Sequence, residues 1–211
     1  MDTEKKILDA TLSVIRKRTI AGTRMREIAD ESGLVLSNIH YYYPTKEELL
    51  EAVQNQVLEK CLEIREDLRE QGGNDTLEER LDVFIGQKKN FLLENQDYDF
   101  AELDFWNQSR ISEAVRDRFA DSYAGWRKEI ETMLAECVPD LPEDILSELP
   151  TFTVSFLEGA TVQYLIDPEA MDIDAYFEFG KKILLGIVAP YRQVEHENNV
   201  KPREKAAGNV A

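Results

Sequence analysis

The sequence predicts an all-α protein, on three observations. Apolar residues recur at spacings of three and four along nearly the whole chain, as one buried face of a helix requires. No stretch alternates apolar and polar residues as a half-buried strand would. Gly, Pro and Asn punctuate the runs where helices must stop, and Ser, Thr or Asp stand where they can start. At 211 residues and 43% hydrophobic content, the chain can bury a sizeable core. The pattern divides into a head (1–48), a helical body (49–191) and a polar tail (192–211) whose lack of periodicity predicts disorder. The fold class is a three-helix head containing a helix-turn-helix, joined to a bundle suited to ligand binding and dimerisation.

In chain order, residues 4–18 predict the first helix, with Ile7, Leu8, Thr11, Leu12 and Ile15 inward and Arg16, Lys17 and Arg18 favourably placed at its C-terminal end. Thr23 is expected to cap a second helix carrying Met25, Ile28 and Ala29. Gly33 suits a left-handed stop. A third short helix carries Ile39 and Tyr43 inward and ends at Pro44. Thr45 and Glu48 have the spacing of a capping box, opening a long helix to about Arg69 that belongs to both head and body. Gly72-Gly73-Asn74 breaks the pattern. Thr76 and Glu79 repeat the box for a helix over 75–94, and Asn95-Gln96-Asp97 reads as a loop. Helices over 98–108 and from Ser112 to Val138 follow, then 141–167, where Pro150 predicts a kink or a break. The last helix covers 174–189 and ends at Pro190.

Helix, short turn with Gly, helix is the helix-turn-helix signature, and its second helix suits the major groove. Plain helical proteins also contain such pairs. The run Tyr41-Tyr42-Tyr43 adds weight, because three aromatics cannot all be buried on one helix face. Leu36, Ser37, Asn38 and Tyr41 are not needed for packing. Asn38 suits an adenine edge and Leu36 a thymine methyl. Arg24, Tyr42 and Lys46 suit phosphates, Lys46 beside a helix N-terminus, and Thr23 joins them in the candidate DNA-binding set.

These residues resemble the TetR family of transcriptional regulators. The resemblance lies in Ile7-Leu8-Asp9-Ala10, Ile28-Ala29, Ser32-Gly33-Leu34, Ile39-His40-Tyr41-Tyr42-Tyr43 and Lys46-Glu47-Glu48-Leu49-Leu50. It is specific over about the first 50 residues and extends beyond them only as a plan of helices. It implies a homodimer paired through the last two helices, a palindromic double-stranded DNA operator and an effector bound in the body. Four positions depart from the family pattern: Arg24 replaces the second threonine after Thr23, Val35 the capping serine, Ser37 a glycine and His40 a tyrosine. His40 keeps the position of a phosphate contact. Val35 cannot make a side-chain cap, at a cost of about 1 kcal/mol. The departures point to an unusual operator.

Charge fits that plan. The net charge is −17, from 42 acidic and 25 basic residues; residues 1–50 hold eight of each sign, so the body carries the whole excess. An acidic body repels DNA and leaves the neutral head as the surface suited to it, with weak non-specific affinity expected. It also aids solubility. Cys61 and Cys137 lack metal-type spacing and read as core, which with no signal peptide or apolar run of membrane length predicts a cytoplasmic protein.

In the body, Gly159, Ala160 and Gly180 permit close approach, and Phe156, Phe177 and Leu184 give bulk, with Gln163 between; these residues form the candidate dimer face. The same helices would also serve as plain core. Phe84, Phe91, Phe105, Trp106, Tyr123, Trp126, Phe152 and Phe156 interleaved with Lys88 and Asp104 form the candidate effector lining. Asp104 beside two aromatic rings suits a cation, and the rings suit an apolar body. The expected mechanism is a population shift in which effector and operator oppose each other; release and promotion by ligand both remain open. Only two histidines exist, His40 and His196, and no catalytic, phosphate-loop or metal-ligand pattern occurs, so no enzyme activity, cofactor or metal is expected. The rival reading is an acidic helical module whose head binds another protein.

Overall fold

The computed structural model describes residues 2–72 and 75–192. Among them run nine α-helices: α1 Thr3–Gly22, α2 Met25–Ser32, α3 Leu36–Tyr42, α4 Lys46–Gln71, α5 Leu77–Glu94, α6 Gln96–Gln108, α7 Glu113–Cys137, α8 Glu143–Ile166 and α9 Ile173–Val188. A 3-10 turn, Ala189–Tyr191, follows, and no strand occurs among the described residues. The predicted tail, except Arg192, and Gly73 and Asn74 of the predicted break lie outside the described residues.

Local chemistry sets most boundaries. Gly33 ends α2 in the left-handed region at φ 65° and ψ 27°, which a side chain would resist. Thr76 and Glu79 form the complete capping box before α5. At α4 only half of it forms: Thr45 Oγ1 accepts from the Glu48 N–H at 3.1 Å, and its own hydroxyl donates to the Glu48 carboxylate. Val35 opens α3 without a side-chain cap, as its apolar side chain requires.

Three local expectations give way to packing. Thr23 does not cap α2. It is fully buried, and its hydroxyl donates to the Thr19 carbonyl at 2.8 Å, leaving Arg24 at the N-cap. The predicted loop 95–97 shrinks to Asn95, because α6 begins at Gln96. Helix α8 runs through Pro150, despite the roughly 3 kcal/mol such a residue costs in a helix interior. Leu149, Pro150, Thr153, Val154 and Leu157 are buried along this stretch, so the core holds both sides of the proline in one helix.

Two apolar cores result. One joins Ile7, Ile15, Ile20, Ile28, Ile39, Tyr43, Leu49, Val53 and Val57 of the head to Phe105 of α6 and Phe119 of α7. The other packs α5, α7, α8 and α9 through Leu81, Leu92, Ile130, Leu157, Phe177 and Leu184. At the crossing of α8 and α9, Gly180 lies flat against the Phe156 ring, which stacks on Tyr176 with centroids 5.0 Å apart. A methyl at position 180 would overlap that ring. Gly180→Ala is expected to lower stability by about 1–3 kcal/mol through overpacking, read as a reduced denaturant midpoint. The double change with Phe156→Leu should recover part of the loss.

Candidate functional site

Helix α3 presents an exposed face. Ile39 alone of its residues is buried. Leu36, Ser37, Asn38, His40, Tyr41 and Tyr42 are exposed, Tyr41 at 81%, and Val35 stands beside them at 63%. Tyr43, the third tyrosine, turns inward and donates to Glu4 at 3.0 Å. The exposed set combines a short amide, hydroxyls and apolar surface within two turns, which is what reading base edges needs.

The other residues expected at DNA are placed differently. Thr23 is inaccessible, so its sequence assignment to DNA contact is corrected: the hydroxyl is spent on the Thr19 carbonyl. Lys46 donates to the Ile20 carbonyl at 2.7 Å, and burial followed by the neighbouring Arg24 lowers its pKa. Arg24 is exposed, its guanidinium bonded to the Ala21 and Thr23 carbonyls at 2.9 and 3.1 Å. These bonds converge on a strained turn. Thr19 has φ 62° and ψ 166°, a conformation in which a β-branched residue is costly. The next N–H, of Ile20, donates to Asp104 of α6 at 2.9 Å. Asp104 is therefore a clamp between α6 and the end of α1 and not part of an effector lining, correcting the sequence assignment.

An opening of about 420 Å3 lies among α4, α5, α6, α7 and α8 of the body. Of the expected effector residues it gathers Lys88, Phe91, Tyr123 and Trp126. Phe84 lines a neighbouring cavity. Phe105 is buried in the first core, and Trp106 packs against that core. Phe152 is half exposed on the outer side of α8, and Phe156 is held by Gly180 and Tyr176. Those last five assignments, with Asp104, are corrected. Helical spacing identified which residues were large and apolar but not the direction in which each helix turns them.

The chamber also contains groups that sequence reasoning passed over. Lys88 is buried with its ammonium 3.0 Å from Glu158, 3.3 Å from Asp99 and 3.7 Å from Glu102. Burial alone would lower the Lys88 pKa, but Glu158, Glu102 and Asp99 prevail and hold it well above the ordinary value. Burial raises Asp99, and Glu102 is pushed up to about 8, by burial first and then by Glu158. On the opposite wall Arg65 bonds to Gln87 at 2.7 Å and pairs with Glu129, its guanidinium 5.1 and 5.3 Å from the ring centroids of Phe84 and Trp126. In a chain with 42 acidic residues, nothing local marks Asp99, Glu102 and Glu158 as buried.

The candidate dimer face also divides. Ala160, Phe177 and Leu184 are buried in the protomer's own core, and Gly180 is occupied by Phe156, so these four cannot meet a partner; that assignment is corrected. The outward stripe of α8 and α9 is Phe152, Gly159, Val162, Gln163, Ile166, Phe179 and Ile183. Its exposed apolar members form a surface of the kind that marks interaction sites.

Residues 7–53 match the profile of bacterial regulatory proteins of the TetR family, and residues 95–188 that of the C-terminal part of BetI-type transcriptional repressors. Over 177 residues, the chain is 22% identical to the HTH-type nicotine-responsive transcriptional repressor HdnoR of Paenarthrobacter nicotinovorans, covering 80% of this chain and 86% of that one. Its fold is similar to a TetR transcription regulator of Haloarcula marismortui at a TM-score of 0.73 and 23% identity, covering 91% of this chain and 99% of that one. It is also similar to a transcriptional regulator of Saccharomonospora viridis solved with choline, at a TM-score of 0.75 and 19% identity over 87% and 95% of the two chains.

Glu102 makes stability depend on pH with a definite sign. Its folded pKa of about 8 lies above the ordinary 4.5, so at intermediate pH the folded state retains a proton that the unfolded chain has lost. Stability contributed at this position is full below about pH 4.5 and falls as pH rises towards about 8. Glu102→Gln is expected to flatten that decline and to stabilise the protein by roughly 1–3 kcal/mol near neutral pH. Denaturant unfolding across this pH range measures it; an unchanged slope would contradict the assignment.

Proposed function

The chain belongs to the TetR family of helix-turn-helix transcriptional regulators, and from that premise we propose that it is a homodimeric repressor released from a palindromic operator by a small molecule. Residues 1–48 read DNA, and residues 49–191 hold the effector and the partner subunit. The observation that carries this reading is the double attachment of α6. Its Asp99 and Glu102 meet Lys88 at the chamber. Its Asp97 bonds to Arg16 at 2.5 Å, its Phe100 ring lies under the Arg16 guanidinium, and its Asp104 holds the Ile20 N–H. A change of charge or volume in the chamber therefore acts on a helix bonded directly to the head.

The operator face is α3. Asn38, Ser37 and Leu36 take the base edges, while Tyr41, Tyr42, His40 and Arg24 flank them towards the phosphates. Lys46 contributes by holding the Ile20 carbonyl, bracing the head from the start of α4. Two heads read two half-sites only if the subunits pair, and the outward stripe of α8 and α9 supplies the apolar surface for that pairing. The effector need only favour one arrangement of α6 over another to change head spacing, and operator binding must then oppose effector binding by the same factor.

Selection from a random duplex library with purified protein tests the reading. The expected product is a palindrome with half-sites one helical turn or a multiple of it apart. Asn38→Ala should cost about 1–3 kcal/mol of operator affinity and relax preference at one position per half-site. No enrichment, with or without cell extract, would favour a head that binds protein instead. Asp104→Ala should leave effector binding in place and weaken its effect on DNA by several-fold, measured by operator titration at fixed effector.

A further inference from the structure

We propose that the chamber takes one small organic cation, an ammonium or quaternary ammonium group on an apolar body, seated against Glu102 and Glu158 with Phe91, Tyr123 and Trp126 around it. The proposal rests on the reading that this chamber is the effector site.

Charge balance is the first support. Among the described residues, Lys88 is the sole cation directly bonded within a buried group of three carboxyl groups, Asp99, Glu102 and Glu158. The other cations of the lining are committed elsewhere. Arg65 is tied to Gln87 and Glu129. Arg118 is tied to Glu51 and reaches Gln54 at 3.3 Å. Asp99, which meets Lys88 but is not part of the lining, has its Oδ2 buried with no hydrogen-bond partner among the described residues. A buried carboxylate left short of positive charge is costly, and a ligand cation offsets that cost where a neutral or anionic ligand cannot.

The walls are the second support. Trp126 and Phe84 already hold the Arg65 guanidinium at cation–π distance, so this aromatic surface accommodates positive charge within the fold. Phe91, Tyr123, Leu58 and Leu62 add apolar wall. A volume of about 420 Å3 admits an organic body. The donor geometry disfavours an inorganic ion: among the described residues, no three His, Cys, Asp or Glu side chains are arranged to hold a metal. The Lys88 ammonium already stands among these carboxylates.

Binding is linked to a proton. Glu102 faces Lys88 from α5, Asp99 from its own helix, Glu158 from α8, Tyr123 from α7 and Cys61 from α4. Near neutral pH it is protonated; an arriving ammonium favours the carboxylate, and the proton leaves to solvent. Affinity for a cation therefore rises with pH towards about 8, whereas affinity for a neutral molecule does not.

The test uses the full chain and three probes with one body: 3-phenylpropylamine, 3-phenylpropanol and 3-phenylpropanoate. Calorimetry at about pH 6.5 and about pH 8.5, in buffers of different ionisation enthalpy, reads affinity and proton release together. The amine should bind at least about tenfold more tightly than the alcohol, release a proton and gain several-fold in affinity at the higher pH. Glu102→Gln should abolish the proton release and most of the preference, and Glu158→Gln should reduce the preference; unfolding curves confirm that both variants fold. Equal or tighter binding of the alcohol or the carboxylate, or no binding of the amine at millimolar concentration, overturns the proposal. Gly125 lines the opening, and a Cβ added there meets nothing within 4 Å, so Gly125→Phe introduces bulk at its edge. Amine binding unchanged in that variant would place the cation outside the chamber and overturn the effector-site reading as well. Binding lost in that variant, with no charge preference in the parent protein, would overturn only the cation.

Discussion

A lysine ammonium removed from water must be surrounded by opposite charge, and much of the body follows from meeting that requirement for Lys88. The carboxylates come from two helices other than its own, Asp99 and Glu102 from α6 and Glu158 from α8. One charged atom thus fixes the approach of α5, α6 and α8. Close apolar packing sets how near the helices approach, and the charge-assisted contacts at these distances add a directional constraint. Removing one partner from such a group strands the others, at a cost of several kcal/mol. The cluster is therefore fixed in register, yet holds more carboxyl groups than cations.

Helix α6 joins that cluster to the head. Its acidic residues divide by face: Asp99 and Glu102 turn to Lys88, while Asp97 and Asp104 turn to α1. The end of α1 is the sensitive point. Thr19 sits in a conformation that β-branched residues avoid, and bonds from Thr23, Lys46 and Asp104 hold the surrounding backbone. Strain held by three bonds from three elements makes the turn dependent on the position of each. Such a junction suits a head whose orientation must change when the body changes.

The helices were legible because their signals are local. A glycine at a left-handed position, a threonine three residues before a glutamate, or a proline after a tyrosine acts on its neighbours whatever the rest of the chain does. The exposed face of α3 was legible for a related reason: with Ile39 and Tyr43 assigned inward, helical geometry leaves Leu36, Ser37, Asn38 and Tyr41 outward. The reading weakened where two faces of one helix are both apolar. In α8 and α9, periodicity could not distinguish Ala160, Phe177 and Leu184, which pack inside the protomer, from Phe152, Val162, Phe179 and Ile183, which do not.

The sequence by itself determined the all-α class, the positions of the helices, the turn at Gly33 and the residues of α3 that stay exposed. Each depends on interactions within a few residues. The tertiary structure alone decided what the polar residues do. Thr23, Lys46 and Asp104 each carry a group suited to a cap, a phosphate or a ligand, and each is spent instead on the turn at Thr19 and Ile20. Asp99, Glu102 and Glu158 look like any other members of an acidic chain until three helices bring them around Lys88. A charged side chain takes its role from the dielectric and the partners around it, and both are supplied by residues distant in sequence.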